Sequence, residues 1–196
     1  MKKIYLIDFN DSFVWNIYSE VKKIFPNALI KLVNYSEISQ LDQINLNDNN
    51  LRFILGPGPG HPQDYLSLIS PFVEKLLLSS QIKIMGVCLG HQIISMMLGL
   101  KVESSSRKMH GEQIKIKLPD QWKVFLKTSQ SFLKVVRYNS LAVNSQFAKE
   151  KLNHDFLQLH HQNELMGLFG KNIISYQFHP ESIGSENSDL LFRPLD

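Results

Sequence analysis

"IMGVCLGHQII", residues 84–94, starts as an apolar run, breaks at a glycine, and then carries the only cysteine in the chain, Cys88, two residues before a second glycine. Gly86-Val87-Cys88-Leu89-Gly90 has the pattern of a nucleophile set between two glycines, one residue removed on each side. The apolar run from Ile82 to Val87 predicts a buried strand, and Gln92 to Leu98 predicts a buried helix. A strand-to-helix turn this tight leaves no room for side chains beside its middle residue, so it needs both glycines and lifts the sulfur out of the sheet edge toward a cleft. The helix that follows would present unpaired N–H groups and the positive end of its dipole to that sulfur. A lone cysteine in an oily run is more often a small buried hydrophobe. The paired glycines and the polar His91-Gln92 that follows have no place in that reading, and they favour a nucleophile elbow.

Outward from this turn, strand and helix signals alternate. Ile4 to Ile7 reads as a strand ended by Asp8, and Phe13, Ile17, Val21 and Ile24 form the apolar stripe of an amphipathic helix. Ala28 to Val33 and Leu51 to Leu55 read as further strands, the latter closed by "GPGPGHP". Ser70 before Pro71 reads as the N-cap and first-turn proline of a helix through Leu78. Such alternation predicts an α/β fold with a mostly parallel central sheet and helices on both faces. The second half is less regular: "EQIKIKL" (112–118) alternates like a half-exposed strand, and "NIISYQF" (172–178) reads as a strand feeding "HPES". With no internal repeat, linker or break in composition, residues 1–196 are expected to form one domain.

At 196 residues and 43% hydrophobic, the chain can bury one substantial core. Its 21 basic and 18 acidic residues are intermixed, and pairs such as Lys22-Lys23 or Lys115 and Lys117 read as solvated faces, so no nucleic-acid partner is expected. One cysteine cannot form an internal disulfide, which points to a reducing compartment. No stretch reaches the roughly 20 apolar residues of a membrane span, and the run after "MKK" is interrupted before a signal core develops. A cytoplasmic protein away from the membrane is the expectation.

A thiol nucleophile needs a base and a group to orient that base. His179 in "YQFHPES" lies at the end of a predicted strand, and Glu181 follows two residues later across Pro180. In an extended segment the two side chains share a side, so the carboxylate can hold the imidazole while its other nitrogen faces the sulfur. The remaining histidines offer less. His154, His160 and His161 sit in a polar segment and read as solvent-facing, with no cysteine partner or carboxylate at metal-like spacing, and His110 precedes Gly111 in a turn-like context. Neither a metal site nor a cofactor is expected. "GPGPG", Gly56 to Gly60, follows a strand, and its backbone N–H groups could approach a ligand as oxyanion donors. No Gly-Lys-Ser/Thr follows it, so it is not a P-loop.

Taken in order, "GPGPG", "GVCLGHQ", "RYNSL" and "YQFHPES" resemble the motifs of the class I (triad) glutamine amidotransferases, and most closely the glutaminase subunits of anthranilate synthase and aminodeoxychorismate synthase. The opening "LIDFNDSFVWNIY" is similar as well. This resemblance implies a flavodoxin-like α/β fold, with Cys88 as nucleophile, His179 as general base and then acid, and Glu181 as its orienting carboxylate. It implies backbone oxyanion donors at Gly58 and Leu89, and glutamine-binding positions at Gly58, Pro59, Gly60, Leu89, Gln92, Ser140 and Leu141. L-Glutamine is then the substrate, and the partner a chorismate-binding synthase large subunit that receives ammonia. Some positions depart from the family pattern: Asn139 stands where His is common, Glu112 where Lys is common, and Ser175-Tyr176 where Gly and an apolar residue are common. The C-terminal "SENSDLLFRPLD" is short and interrupted by proline where the family ends in a helix.

Two other readings share the nucleophile turn. A stand-alone gamma-glutamyl or amide hydrolase would turn over glutamine rapidly without a partner. A non-catalytic binding subunit of the same fold would leave Cys88 unreactive toward a glutamine-analogue alkylator in the assembled complex.

Overall fold

The structure is a computed structural model that describes residues 1–152 and 155–196; His154 lies outside the described residues. In chain order the elements are β1 (Lys3–Asp8), α1 (Val14–Ile24), β2 (Leu29–Asn34), β3 (Leu51–Leu55), α2 (Gln63–Leu78), β4 (Lys83–Val87) and α3 (Leu89–Met97). There follow β5 (Val102–Ser104), β6 (Glu112–Lys117), α4 (Asp120–Leu126), β7 (Phe132–Arg137), β8 (Leu141–Val143), α5 (Ser145–Lys151), β9 (Leu157–His161), β10 (Glu164–Gly170), β11 (Ile173–Tyr176) and α6 (Ser188–Phe192).

The central sheet has the order β2-β1-β3-β4-β11-β10-β9. Its first five strands are parallel, and β10 runs antiparallel to both β11 and β9. Alternating side chains on the parallel strands feed two separate cores, because each face is covered by helices. Ile4 and Leu6 of β1 pack with Val14, Ile17 and Val21 of α1 and with Leu191 and Phe192 of α6. Ile7 points the other way, toward Ile69, Phe72 and Val73 of α2 and Ile93 and Ile94 of α3. This is the mostly parallel, doubly covered sheet that the alternation predicts. The parallel strands follow the flavodoxin-like order, in which ligands bind beyond the carboxyl ends of the strands near the switch point between β1 and β3. The loops after β3 and β4, "GPGPG" and the Cys88 turn, leave the sheet at that end.

Three local expectations are corrected. Helix α2 begins at Gln63 rather than at Ser70, and Pro71 lies inside it. The initiating proline is Pro62, with Asp64 accepting from the His61 N–H at 3.2 Å. Pro71 withholds the amide that the Ser67 carbonyl would accept, but both residues face solvent, where water can replace that bond. Strand β11 stops at Tyr176, so His179 sits beyond it, on an isolated bridge to Val136. His160 is not a solvent-facing loop residue: it lies on β9 with Nδ1 2.6 Å from Ser145 Oγ, and burial pushes its pKa down to about 4.

Two short antiparallel pairs, β5 with β8 and β6 with β7, stand outside the main sheet. In β6, Ile116 is buried while Lys115 and Lys117 are exposed, the half-exposed strand its alternation predicts. After α6, a single 3-10 turn over Arg193–Leu195 ends the chain, and Leu191, Phe192 and Leu195 are all buried. The short, proline-interrupted end therefore still covers one face. Among the described residues no helix is long and apolar enough to cross a membrane.

Candidate active site

Cys88 caps the N-terminus of α3 with φ 52° and ψ −102°, a backbone conformation that L-residues seldom adopt. The surroundings hold it there. Its own N–H donates to the Tyr176 carbonyl at 2.8 Å, and its carbonyl accepts from the Gln92 N–H at 3.1 Å. A Cβ on Gly86 would come within 2.6 Å of the Gly90 backbone, and one on Gly90 within 2.1 Å of the Leu55 carbonyl oxygen. Both clashes are with backbone that cannot rotate away, so α3 reaches this close to β3 and β4 only through glycine. The tight turn read from the sequence is thus physically required, and Cys88 keeps 9% of its surface open.

His179 reaches the Cys88 sulfur from beyond the end of β11, the strand that pairs with β4. Its N–H donates to the Val136 carbonyl at 2.9 Å, and its ring lies 5.1 Å from Phe13 and 5.0 Å from Tyr138 between centroids. Nδ1 donates to Glu181 Oε1 at 2.7 Å, with both side chains buried. The carboxylate gets there through a turn at Pro180-Glu181, where the Ser182 N–H donates to the His179 carbonyl at 3.3 Å, rather than along the extended segment expected. Burial alone would push the His179 pKa down. The neighbouring Cys88 sulfur and the Glu181 carboxylate outweigh it and hold the imidazole well above its ordinary value. With Nδ1 committed to Glu181, Nε2 is left buried and without an aligned hydrogen bond among the described residues.

Of the remaining expected positions, Gly58 lies against Leu89, the residue after Cys88, and Gln92 is linked to Leu141. A Cβ on Gly58 would come within 2.5 Å of both Leu89 Cδ2 and Phe9 Cβ, so the "GPGPG" loop lies directly against the first residue of α3. Gly60 has φ +75°, and the Pro59 carbonyl accepts from Tyr65 Oη at 2.8 Å, which ties the loop to α2. The Gly90 N–H is spent on the Gly56 carbonyl at 3.1 Å, while the Leu89 N–H precedes the first intrahelical bond of α3. Gln92 is buried, and its Nε2 donates to the Leu141 carbonyl at 2.9 Å and to Gln177 Oε1 at 3.1 Å. Ser140 is exposed, and its carbonyl accepts from the Ser105 N–H at 2.9 Å.

Under the Tyr138–Leu141 segment lies a polar cluster. Arg137 pairs with Glu164 and donates from Nε to Asn139 Oδ1 at 3.0 Å, and Asn139 Nδ2 donates to the Leu141 carbonyl at 2.8 Å. Asn139, one of the departures from the pattern that the resemblance implies, therefore braces the segment through its amide. Ser175, another departure, stands 2.8 Å from Nδ1 of the wholly buried His91, whose pKa burial lowers to about 4. Glu112 is exposed and pairs with Arg107 at 2.7 Å.

Phe13, Tyr138 and Gln177 are the functional candidates that the sequence reading passed over. All three fall inside the quoted motifs, yet nothing in a one-dimensional pattern says that Phe13, far from Tyr138 along the chain, meets it with 4.8 Å between ring centroids.

A thiol at a strained elbow beside an imidazole held by a carboxylate, on a flavodoxin-like sheet, is the arrangement expected of a cysteine-dependent acyl-transfer enzyme. The family model for class I glutamine amidotransferases matches residues 5–195, and the chain belongs to that family. It is 34% identical to anthranilate synthase component 2 of Methanocaldococcus jannaschii, covering 100% of this chain and 92% of that one. It is 32% identical to aminodeoxychorismate synthase component 2 of Klebsiella aerogenes, covering 96% of each. The bifunctional protein TrpGD of Thermotoga maritima is 31% identical over 98% of this chain, but the match spans only 32% of that longer protein. The match to a putative aminodeoxychorismate synthase of Schizosaccharomyces pombe likewise spans only 26% of it. In fold, the chain superposes on a putative GMP synthase subunit of Thermoplasma acidophilum with TM-score 0.78 at 19% identity, covering 100% of this chain and 92% of the other.

Proposed function

We propose that this chain is a glutaminase subunit that hydrolyses L-glutamine and passes the ammonia to a chorismate-binding synthase subunit, for anthranilate or 4-amino-4-deoxychorismate synthesis. The observation that carries this reading is the meeting of Cys88, His179 and Glu181 at one crevice beside Gly58 and Leu89. In the proposed mechanism the Cys88 thiol passes its proton to Nε2 of His179, and the thiolate attacks the side-chain amide carbon of glutamine. The carbonyl oxygen becomes an oxyanion held by the N–H groups of Gly58 and Leu89, each such donor worth about 2.7–4 kcal/mol of transition-state stabilisation. His179 gives its Nε2 proton to the leaving nitrogen, ammonia departs, and a glutamyl thioester remains on Cys88. Water then loses a proton to His179 and attacks the thioester; glutamate leaves and the sulfur is restored.

In this reading Gly58, Pro59, Gly60, Gln92, Ser140 and Leu141 shape the glutamine subsite, with Gln92 held by the Leu141 carbonyl. The buried Nε2 of His179 is left free to exchange a proton beside Cys88, as this mechanism requires, and the full-length likeness to component 2 subunits favours the subunit over a stand-alone hydrolase. Residues 1–196 act as a single amidotransferase domain, a reading supported by the family match over 5–195. A cytoplasmic setting belongs to the same proposal, on the strength of the single cysteine.

The test is glutamate release measured with and without an anthranilate or aminodeoxychorismate synthase large subunit. The proposal expects low turnover alone, a rise on mixing, and loss of both with Cys88→Ala while ammonium still supports amination by the partner. Glutamate release that persists in Cys88→Ala would sink it.

A further inference from the structure

Gln177 is fully buried one residue beyond β11, and its backbone N–H is spent on the Met166 carbonyl at 3.0 Å. Its side chain is oriented by a chain of amides that runs in one direction. The Leu141 carbonyl can only accept, so the Gln92 atom 2.9 Å from it is the amide nitrogen. That same nitrogen is 3.1 Å from Gln177 Oε1, which fixes the oxygen end of Gln177 toward Gln92. The nitrogen end therefore faces Cys88, with Nε2 3.8 Å from Sγ. With its oxygen end committed to Gln92, the Gln177 amide meets the Cys88 sulfur as the acceptor at its nitrogen end.

We propose that Gln177 is a further catalytic group: its Nε2 N–H stabilises negative charge on the Cys88 sulfur and ties that sulfur, through Gln92, to the Leu141 side of the glutamine subsite. This rests on the reading of Cys88 as nucleophile. His179 must exchange a proton during the reaction, whereas the Gln177 amide carries no titratable proton. It supports the sulfur both as it attacks and when it is expelled from the thioester, without competing for the proton that ammonia takes away. A ligand that pulls Gln92 toward itself would also draw on the Gln177 amide, so filling the subsite is felt at the nucleophile.

The test compares Gln177→Met, which removes donor and acceptor at similar volume, with Gln177→Glu, which can still accept from Gln92 but brings no donor to the sulfur. Two quantities are read: the rate of Cys88 alkylation by iodoacetamide at neutral pH, and kcat and KM for glutamine in the complex with the synthase subunit. In both variants alkylation and kcat are expected to fall roughly ten- to a hundredfold, the range of a hydrogen bond to a charged group, with KM changed less than about threefold. Wild-type alkylation and kcat would overturn the proposal, as would a raised KM at unchanged kcat, which would confine Gln177 to the subsite. If Gln177→Met does not fold by circular dichroism, Gln177→Glu decides by the same criteria. Should wild-type protein release no Cys88-dependent glutamate, the glutaminase reading fails, and the alkylation ratio alone still judges Gln177.

Discussion

Around Cys88 the chain is held by what is absent, and around His179 by what is added. The elbow depends on two missing side chains, since a methyl on Gly86 or Gly90 would meet backbone at 2.6 Å or 2.1 Å. The histidine is fixed by neighbours instead: the Glu181 carboxylate, the Val136 carbonyl, and the rings of Phe13 and Tyr138. A site built by exclusion fails abruptly when anything is inserted, because backbone cannot make room. One built by addition weakens step by step as neighbours are removed. The two sides of one crevice should therefore respond differently to substitution.

The largest effects remove the reacting groups themselves. Cys88→Ala and His179→Asn should each lower glutamine-dependent amination by about 10⁴-fold or more; Cys88→Ala should leave the urea midpoint within error of wild type, while His179→Asn, which leaves the buried Glu181 carboxylate unpaired, should lower it. A residual rate near wild type would break the account. Glu181→Gln should come next. It keeps the shape but no longer holds the imidazole in one tautomer, and a drop in kcat of about 10²–10⁴ is expected with little change in KM, read from steady-state glutamate release.

On the elbow side, Gly90→Ala should destabilise the protein by about 3 kcal/mol or more, at or beyond the upper end of ordinary overpacking, as measured by urea denaturation. An unchanged midpoint would mean that α3 can slide away from β3. On the histidine side, Tyr138→Leu should cost only about 0.5–1.5 kcal/mol for each of its two ring contacts, with Phe13 and His179. The contrast between these two values is sharper evidence than either alone.

His91 gives a pH-dependent probe behind the elbow. Its pKa falls from an ordinary 6.5 to about 4 on burial, so between those values the unfolded chain takes up a proton that the folded chain refuses. Stability from this group is complete above about pH 6.5 and is lost as the pH falls toward 4, amounting to about 3 kcal/mol. In His91→Asn, the difference in unfolding free energy between pH 7 and about pH 4.5 should shrink accordingly; a difference equal to that of wild type would contradict the buried, neutral imidazole.

Much of the parallel half of the fold was legible because a strand buried on both faces has to be an apolar run, as in Leu51 to Leu55, where the expected and observed strand coincide. The antiparallel edge was less so. β9, "LQLHH", mixes polar and apolar residues because it is only partly covered, and β10 contains two glycines that blur its pattern. Pro71 misplaced the start of α2, since a proline tolerated on an exposed helix face leaves the same mark as one at a helix start. Cys88, His179 and Glu181 could be singled out because chemistry restricts which residues can serve and the flanking glycines betray the turn. Gln177 could not, for an amide becomes a donor to sulfur only when Gln92, from another element, fixes which end faces it.

The most direct measurement is covalent labelling with a glutamine-mimicking diazoketone followed by mass spectrometry of the peptide spanning residues 84–94. The account predicts a single adduct on Cys88, suppressed by added glutamine and much slower in His179→Asn. Labelling that ignores glutamine, or that proceeds equally well without the imidazole, would contradict it.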